Sequence, residues 1–286
     1  MNQLNPDVLA RIVAVAIEED VGAGDITTSS VIEKNRQAKG DIVVEEDCVV
    51  AGMPVAQLLY ETLDEELDFQ KEVEDGKDVQ KGTVIARLYG YARSILTGER
   101  VALNFLQRLS GIATLTSRFV ARTKQFGTKI MDTRKTAPGL RYLEKYAVRA
   151  GGGSNHRMGL YDMFLIKDNH LRAIGGDKEQ AVATTIERAR KFNPNVQVEI
   201  EVETLQEFEQ ALKAQPDMIL LDNMPLGDIN EAVKLARGEV VLEASGGVTL
   251  DTVEEVARTG VDCISVGALT TAARGINMTM ELTEWV

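Results

Sequence analysis

The chain has 286 residues, 44% of them apolar and 27% charged, which suits one large globular domain or two ordinary ones. Its 44 acids against 32 Lys and Arg give a net charge of −12, a field that repels phosphate backbones and excludes a nucleic-acid surface. The first 22 residues lack the basic start of a signal peptide, and no apolar run approaches the ~20 residues of a membrane span, so neither secretion nor membrane insertion is expected.

The two cysteines, Cys48 and Cys263, stand far apart in apolar surroundings. They read as small core residues of a protein in the reducing cytoplasm, not as a disulfide or a metal site.

In chain order, Asn5-Pro6 opens the first helix, with Asn as N-cap and Pro at the first helical position. Leu9, Ile12, Val13, Ala16 and Ile17 form its apolar stripe. Residues 24–32, GDITTSSVI, read as a polar turn. From Gly40 to Leu96 short strands dominate, in DIVVEEDCVVAG, ELDFQKEV and GTVIARLYGYARSIL. A short helix near 54–62 interrupts them, and Asp75-Gly76 and Lys81-Gly82 mark turns. Leu96–Lys124 reads as helical, with Ala102, Phe105, Leu106 and Leu109 on one face and Gly111 as a break. The first domain is therefore expected over residues 1–113, as an α+β open sandwich.

From Thr128 the texture changes, and apolar strands alternate with helices. Strands are expected at 129–132, 163–166, 196–202, 218–222, 240–244 and 263–267. Helices are expected near 138–149, 178–192, 204–214, 226–237 and 249–259. Thr204 and Glu207 form a capping box, and Gly238 stops the helix before VVLEA. Repeated βα units imply a parallel sheet. Six strands at this spacing fit a closed or nearly closed α/β barrel over 114–274, with its active site at the C-terminal strand ends. An open doubly wound sheet is the rival architecture.

The stretch Met131–Arg172 concentrates the chemistry. It holds eight Lys and Arg against four acids, and both histidines, His156 and His170. Such a cationic island in an acidic chain is most simply a pocket for a small anion. Most strands end in polar or glycine residues: Asp132-Thr-Arg-Lys, Lys167-Asp-Asn-His, Asp222-Asn223 and Ser245-Gly246-Gly247. A barrel mouth needs this pattern, with packing in the strand and function just past it. In VEIEVE, Glu199, Glu201 and Glu203 alternate with Val198, Ile200 and Val202. Carboxylates pointing into a barrel need cations, for which Lys135 and Lys167 are the nearest candidates.

SGGV (245–248) and VGALT (266–270) follow the last two strands, where glycine lets backbone N–H groups approach a phosphate. GGGS (151–154), next to a cationic pair, reads as a closing loop. Zinc is not expected, because neither histidine has a second His or Cys at ligand spacing. Lys167, ending an apolar strand, also occupies the position of a Schiff-base lysine in barrel aldolases.

The long motifs DTRKTAPGLR (132–141), EKYAVRAGGGSNHRMGLYDMFLIKDNH (144–170), ERVALNFLQRLSGIAT (99–114), EIEVE (199–203), LLDN (220–223), LEASGG (242–247) and ISVGALT (264–270) resemble the quinolinate phosphoribosyltransferase family. The match runs in order from about Leu9 to Thr270. The resemblance implies an N-terminal open sandwich followed by an incomplete α/β barrel; it carries nothing over beyond Thr271, and 275–286 is separately expected to pack with the first domain. It also implies a glycosyl transfer in NAD biosynthesis: quinolinate and phosphoribosyl pyrophosphate (PRPP) give nicotinate mononucleotide, pyrophosphate and CO2, with Mg2+.

By the same resemblance Arg100, Arg134, His156, Arg157 and Lys167 bind quinolinate. Lys135, Glu201 and Asp222 serve PRPP and catalysis, with Mg2+ held mainly through pyrophosphate near the two acids. Ser245, Gly246, Gly247 and Gly267 cradle the 5′-phosphate. The family's two-fold dimers share active sites, so a homodimer is implied, with Arg100 reaching the partner's barrel. The family often has His after the GALT motif; here Thr271 offers only a neutral hydroxyl. A related type II enzyme using nicotinate is the alternative within the family, and a Schiff-base aldolase the alternative outside it.

Overall fold

A computed structural model describes residues 4–175 and 177–284. The chain divides into two compact units. One comprises Met1–Ser117, Thr136–Gly152 and Ala272–Val286; the other comprises Arg118–Lys135 and Gly153–Thr271. This differs from a single boundary near residue 113. The helix Arg141–Ala150, expected within the barrel, belongs to the first unit. There the Tyr146 hydroxyl donates to buried Asp75 at 2.6 Å, and Arg108 holds buried Glu144 at 2.7 Å. Polar groups this deep require such partners, and the partners lie in the first unit.

The first unit carries a four-stranded antiparallel sheet in the order 278–284, 37–44, 84–91, 68–71. Alternation buries Ala38, Ile42 and Val44 on one face of Gln37–Val44. The chain-terminal strand Met278–Glu284 pairs with it in register Ile42↔Met280. Asn5 caps the helix Pro6–Asp20, accepting from the Asp7 N–H at 3.0 Å.

Three local expectations are corrected. Residues 26–31 of the supposed turn form a short helix, because Asp25 caps it by accepting from the Thr28 N–H at 2.9 Å. The last strand stops at Tyr91, and Ala92–Thr123 is one unbroken helix. Gly111 does not break it: a Cβ there would lie 2.0 Å from the Arg274 carbonyl oxygen, so glycine serves close approach of a neighbouring chain segment.

The second unit holds six parallel strands: β1 Lys129–Met131, β2 Phe164–Ile166, β3 Val198–Val202, β4 Met218–Asp222, β5 Val241–Ser245 and β6 Cys263–Ser265. Their order is β1-β6-β5-β4-β3-β2. This is the cyclic order of an α/β barrel, left open between β1 and β2. Beyond β1, Ser154 makes a parallel bridge with Met131. Its N–H donates to Ile130 at 2.8 Å and its carbonyl accepts from Asp132 at 3.2 Å. The GGGS segment is thus not a free closing loop, since its serine continues the sheet edge. Thr204 caps the next helix by accepting from the Glu207 N–H at 3.2 Å, while Glu207 reaches back to the Glu203 N–H at 2.8 Å.

Candidate active site

A cavity of about 770 Å³ opens at the C-terminal ends of the six strands. The strands deliver their residues from their last positions or from the few residues that follow, where backbone direction is set by the sheet. β1 leads to Arg134 and Lys135, β2 to Lys167, β3 carries Glu201 one residue before its end, and β4 ends at Asp222. β5 runs into Ser245-Gly246-Gly247 and β6 into Gly267, while His156 and Arg157 enter from the segment after the Ser154 bridge. Thr271 completes the rim.

The cations are of two kinds. Lys167 is ion-paired with Glu201 across β2 and β3. Arg157 is half-buried and anchored by a bond from Nη1 to the Met163 carbonyl at 3.2 Å. Burial, and then the positive charge of Arg134, hold its guanidinium below the usual range. Two guanidinium groups crowded in one cavity repel each other until an anion separates their charges, so the pocket is prepared for a substrate of high negative charge.

The rim after β5 and β6 is built largely of backbone. Gly246 has φ +95° and Gly247 φ +61°, a region open to glycine at little cost. A Cβ at Gly246 would also lie 2.2 Å from Asn223 Oδ1. Gly267 lets Lys135 lie close, since a Cβ there would sit 3.1 Å from Lys135 Cδ. The Ser245 and Ser265 hydroxyls bond to each other at 3.0 Å. Thr271 is already engaged, donating to the Gly267 carbonyl at 3.0 Å.

Beneath the cations is a buried polar floor that pattern reading did not assemble. His156 Nε2 lies 3.0 Å from Glu199 and 3.4 Å from Glu243. The expected partners for the Glu199 carboxylate were Lys135 and Lys167; His156 stands there instead, because Glu199 is one pleat deeper than Glu201. Glu243 was not singled out, although the alternation in VLEAS points it the same way as Ser245. Asp132 fixes this floor from below, accepting from the His156 N–H at 2.9 Å and from Asn155 at 2.5 Å.

His156, Glu199 and Glu243 bring three ligand atoms within 4.8 Å of one another, a spacing that a count of His and Cys overlooks. His156 Nδ1, however, accepts from the Arg157 N–H at 2.7 Å. A metal-bound imidazole donates its other ring N–H, so this ring is set up to hold a proton on Nε2 and not a metal.

The cationic island is not one pocket. Of its eight cations, Arg134, Lys135, Arg157 and Lys167 line the cavity. Arg141, Lys145 and Arg149 ride on the helix of the first unit, and Arg172 pairs with Asp168 at 3.2 Å on the surface. Nearness in sequence gathered them; the chain's crossing between units separates them. His170 accepts from the Lys167 N–H at 2.9 Å and caps a helix outside the cavity. Arg100 lies exposed on the long helix of the first unit and does not line this cavity.

The geometry has a counterpart in known proteins. Residues 25–110 match the model of the quinolinate phosphoribosyl transferase N-terminal domain, and residues 112–281 that of its C-terminal domain. A probable nicotinate-nucleotide pyrophosphorylase [carboxylating] of Bacillus subtilis is 41% identical over 93% of this chain and 90% of its own. Quinolinate phosphoribosyltransferase [decarboxylating] 1 of Nicotiana glauca is 39% identical over 96% of this chain and 82% of its own. The solved nicotinate-nucleotide pyrophosphorylase from Francisella tularensis superposes with a TM-score of 0.93 at 40% identity, covering 99% of this chain and 98% of that one. With both family models together spanning the sandwich and the barrel, the chain belongs to the quinolinate phosphoribosyltransferase family.

Proposed function

We infer that the protein converts quinolinate and PRPP to nicotinate mononucleotide, pyrophosphate and CO2, the step that supplies the pyridine ring to NAD synthesis. The relatives' names describe this one reaction, written in its two directions. The observation that carries the reading is what one cavity gathers: the cations Arg134, Arg157 and Lys167, the carboxylates Glu201 and Asp222, and the glycines Gly246, Gly247 and Gly267.

Quinolinate has two adjacent carboxylates, which suit the two arginines bidentately with Lys167 as a point charge. His156 borders the same cavity. Its Nδ1 accepts from the Arg157 N–H, which fixes the ring with Nε2 turned toward Glu199 and Glu243. The 5′-phosphate of PRPP suits Ser245, Gly246, Gly247 and Gly267, and Lys135 reaches the pyrophosphate from beside Gly267.

The pyridine nitrogen attacks C1 of the ribose as pyrophosphate departs. Glu201 and Asp222 stabilise the cationic, oxocarbenium-like transition state, and Lys135 stabilises the leaving group. The pyridinium then accepts the electrons released as the 2-carboxylate leaves as CO2. Two carboxylates without a ligand cage suit Mg2+ that arrives on the pyrophosphate, whose charge it neutralises. A homodimer in which Arg100 completes the partner's cavity, in a cytoplasmic setting, belongs to the same proposal. Among the described residues no helix is long and apolar enough to cross a membrane.

The test is incubation with quinolinate, PRPP and Mg2+, assaying CO2 and nicotinate mononucleotide. Both should form together. Nicotinate serving equally well in place of quinolinate would overturn the decarboxylating reading.

A further inference from the structure

Loss of CO2 leaves an electron pair on C2 of the pyridinium, and the product carries hydrogen there. A proton must arrive, and decarboxylation stays reversible until it does. The side chains that grip an anion are poor sources, since Lys167 is committed to Glu201 and arginine does not release protons.

The cavity floor holds a better one. Glu199 and Glu243 are fully buried, both within reach of His156 Nε2, and Glu243 meets the side chains of Glu199 and Ser265. Glu243 lines the cavity and Glu199 does not. Two buried carboxylates that share one imidazole, with no Lys or Arg beside them among the described residues, favour a proton held on one of the pair.

We propose that Glu243 holds a proton at the cavity floor and is the acid that delivers it to C2 after CO2 leaves, with Glu199 and His156 as the residues that position and retain that proton. This rests on the quinolinate reading above. The C2–carboxylate bond breaks and its electron pair stays on C2. That pair then forms the C2–H bond with the Glu243 proton, Glu243 is left as carboxylate, and solvent reprotonates it after product leaves.

The surroundings of Glu243 favour the neutral form. Burial, and then the charge of Glu199, push its carboxyl up to about 7, against the opposing pull of His156. In register on β6 is Cys263, whose thiol burial and Glu243 push up to about 12; on β4 is apolar Leu220. No cation replaces the proton from either neighbour strand.

The experiment is single turnover of the full-length protein with quinolinate, PRPP and Mg2+, following pyrophosphate release and CO2 release separately. If wild type releases neither, the function reading fails, and this inference with it. If wild type releases both, Glu243→Gln should keep pyrophosphate release near wild type and slow net CO2 release about 100-fold, the usual size of a general-acid contribution. Wild-type CO2 release should fall as pH rises through about 7 while pyrophosphate release does not. In Glu199→Gln the like charge is gone, so that fall should move to lower pH. Normal CO2 release by Glu243→Gln overturns the proposal. Should that variant not fold, a wild-type profile without the fall, or a Glu199→Gln profile that does not move, overturns it equally.

Discussion

Lys167, just past the end of β2, is ion-paired with Glu201 of β3, so the one lysine placed like a Schiff-base nucleophile already has a carboxylate partner. A nucleophilic amine needs its nitrogen turned to the carbonyl, and here the nitrogen is turned to a carboxylate. Borohydride reduction in the presence of carbonyl compounds should leave no adduct on Lys167 by peptide mass mapping. A stable adduct there would restore an aldolase chemistry.

The same pair makes Glu201 testable. Its charge faces the cavity, where a cationic transition state would strengthen the interaction. Glu201→Gln should lower kcat by about 100-fold or more while changing KM for quinolinate far less, because the lost interaction belongs to the transition state. A change confined to KM for quinolinate would move Glu201 from catalysis to substrate binding.

Gly246 is constrained twice, by φ +95° and by Asn223 Oδ1 at 2.2 Å from any added Cβ. Gly246→Ala should therefore displace the turn after β5, costing roughly 1–3 kcal/mol in backbone strain. KM for PRPP should rise at least about tenfold, the equivalent of 1.4 kcal/mol, with KM for quinolinate less affected. Equal effects on both substrates would separate this turn from the phosphate.

Glu243 also makes stability depend on pH. Its folded pKa, pushed up to about 7, lies above its ordinary value of 4.5. The folded state therefore binds more protons between these values, and the stability this contributes is present below about 4.5 and lost as pH rises to about 7. The full shift corresponds to an order of 3 kcal/mol. Glu243→Gln cannot ionise, so its Tm relative to wild type should rise across that pH window. A Tm difference that is flat in pH would mean that Glu243 is already charged in the folded protein.

Arg100 gives a test of assembly. It is exposed on the helix Ala92–Thr123, in the part that belongs to the first unit, and is not among the residues that line the cavity. In a two-fold dimer with shared sites, mixing inactive Arg100→Ala with inactive Lys135→Ala after dissociation should restore about a quarter of wild-type activity. Half the dimers are then mixed, and each mixed dimer has one intact site. No recovery, with mixed dimers shown by native mass spectrometry, would place Arg100 in its own chain's site or outside any site.

Much of this protein was legible in the sequence because its signals are local. The six barrel strands lie where apolar runs alternate with helical patterns, from Lys129–Met131 to Cys263–Ser265. The residues just past them, Arg134, Lys135, Lys167, Asp222, Gly246 and Gly267, converge on one cavity. Strand direction and period 2 are properties of the backbone, so strand-end position and inward alternation follow from sequence order alone.

Tertiary structure decided what sequence distance conceals. Arg141, Lys145 and Arg149 left the cationic island because their helix found its apolar and polar partners in the first unit. Gly111 stayed inside a helix because another segment's carbonyl approaches it, a fact carried by residue 274. Glu199 and Glu243, 44 positions apart, meet at His156 only because β3 and β5 curve toward one interior, so their lack of cations and the proton that replaces them belong to the folded barrel. Periodicity sets which way a side chain points; the curvature of the sheet sets what it meets, and for buried charge the second determines the chemistry.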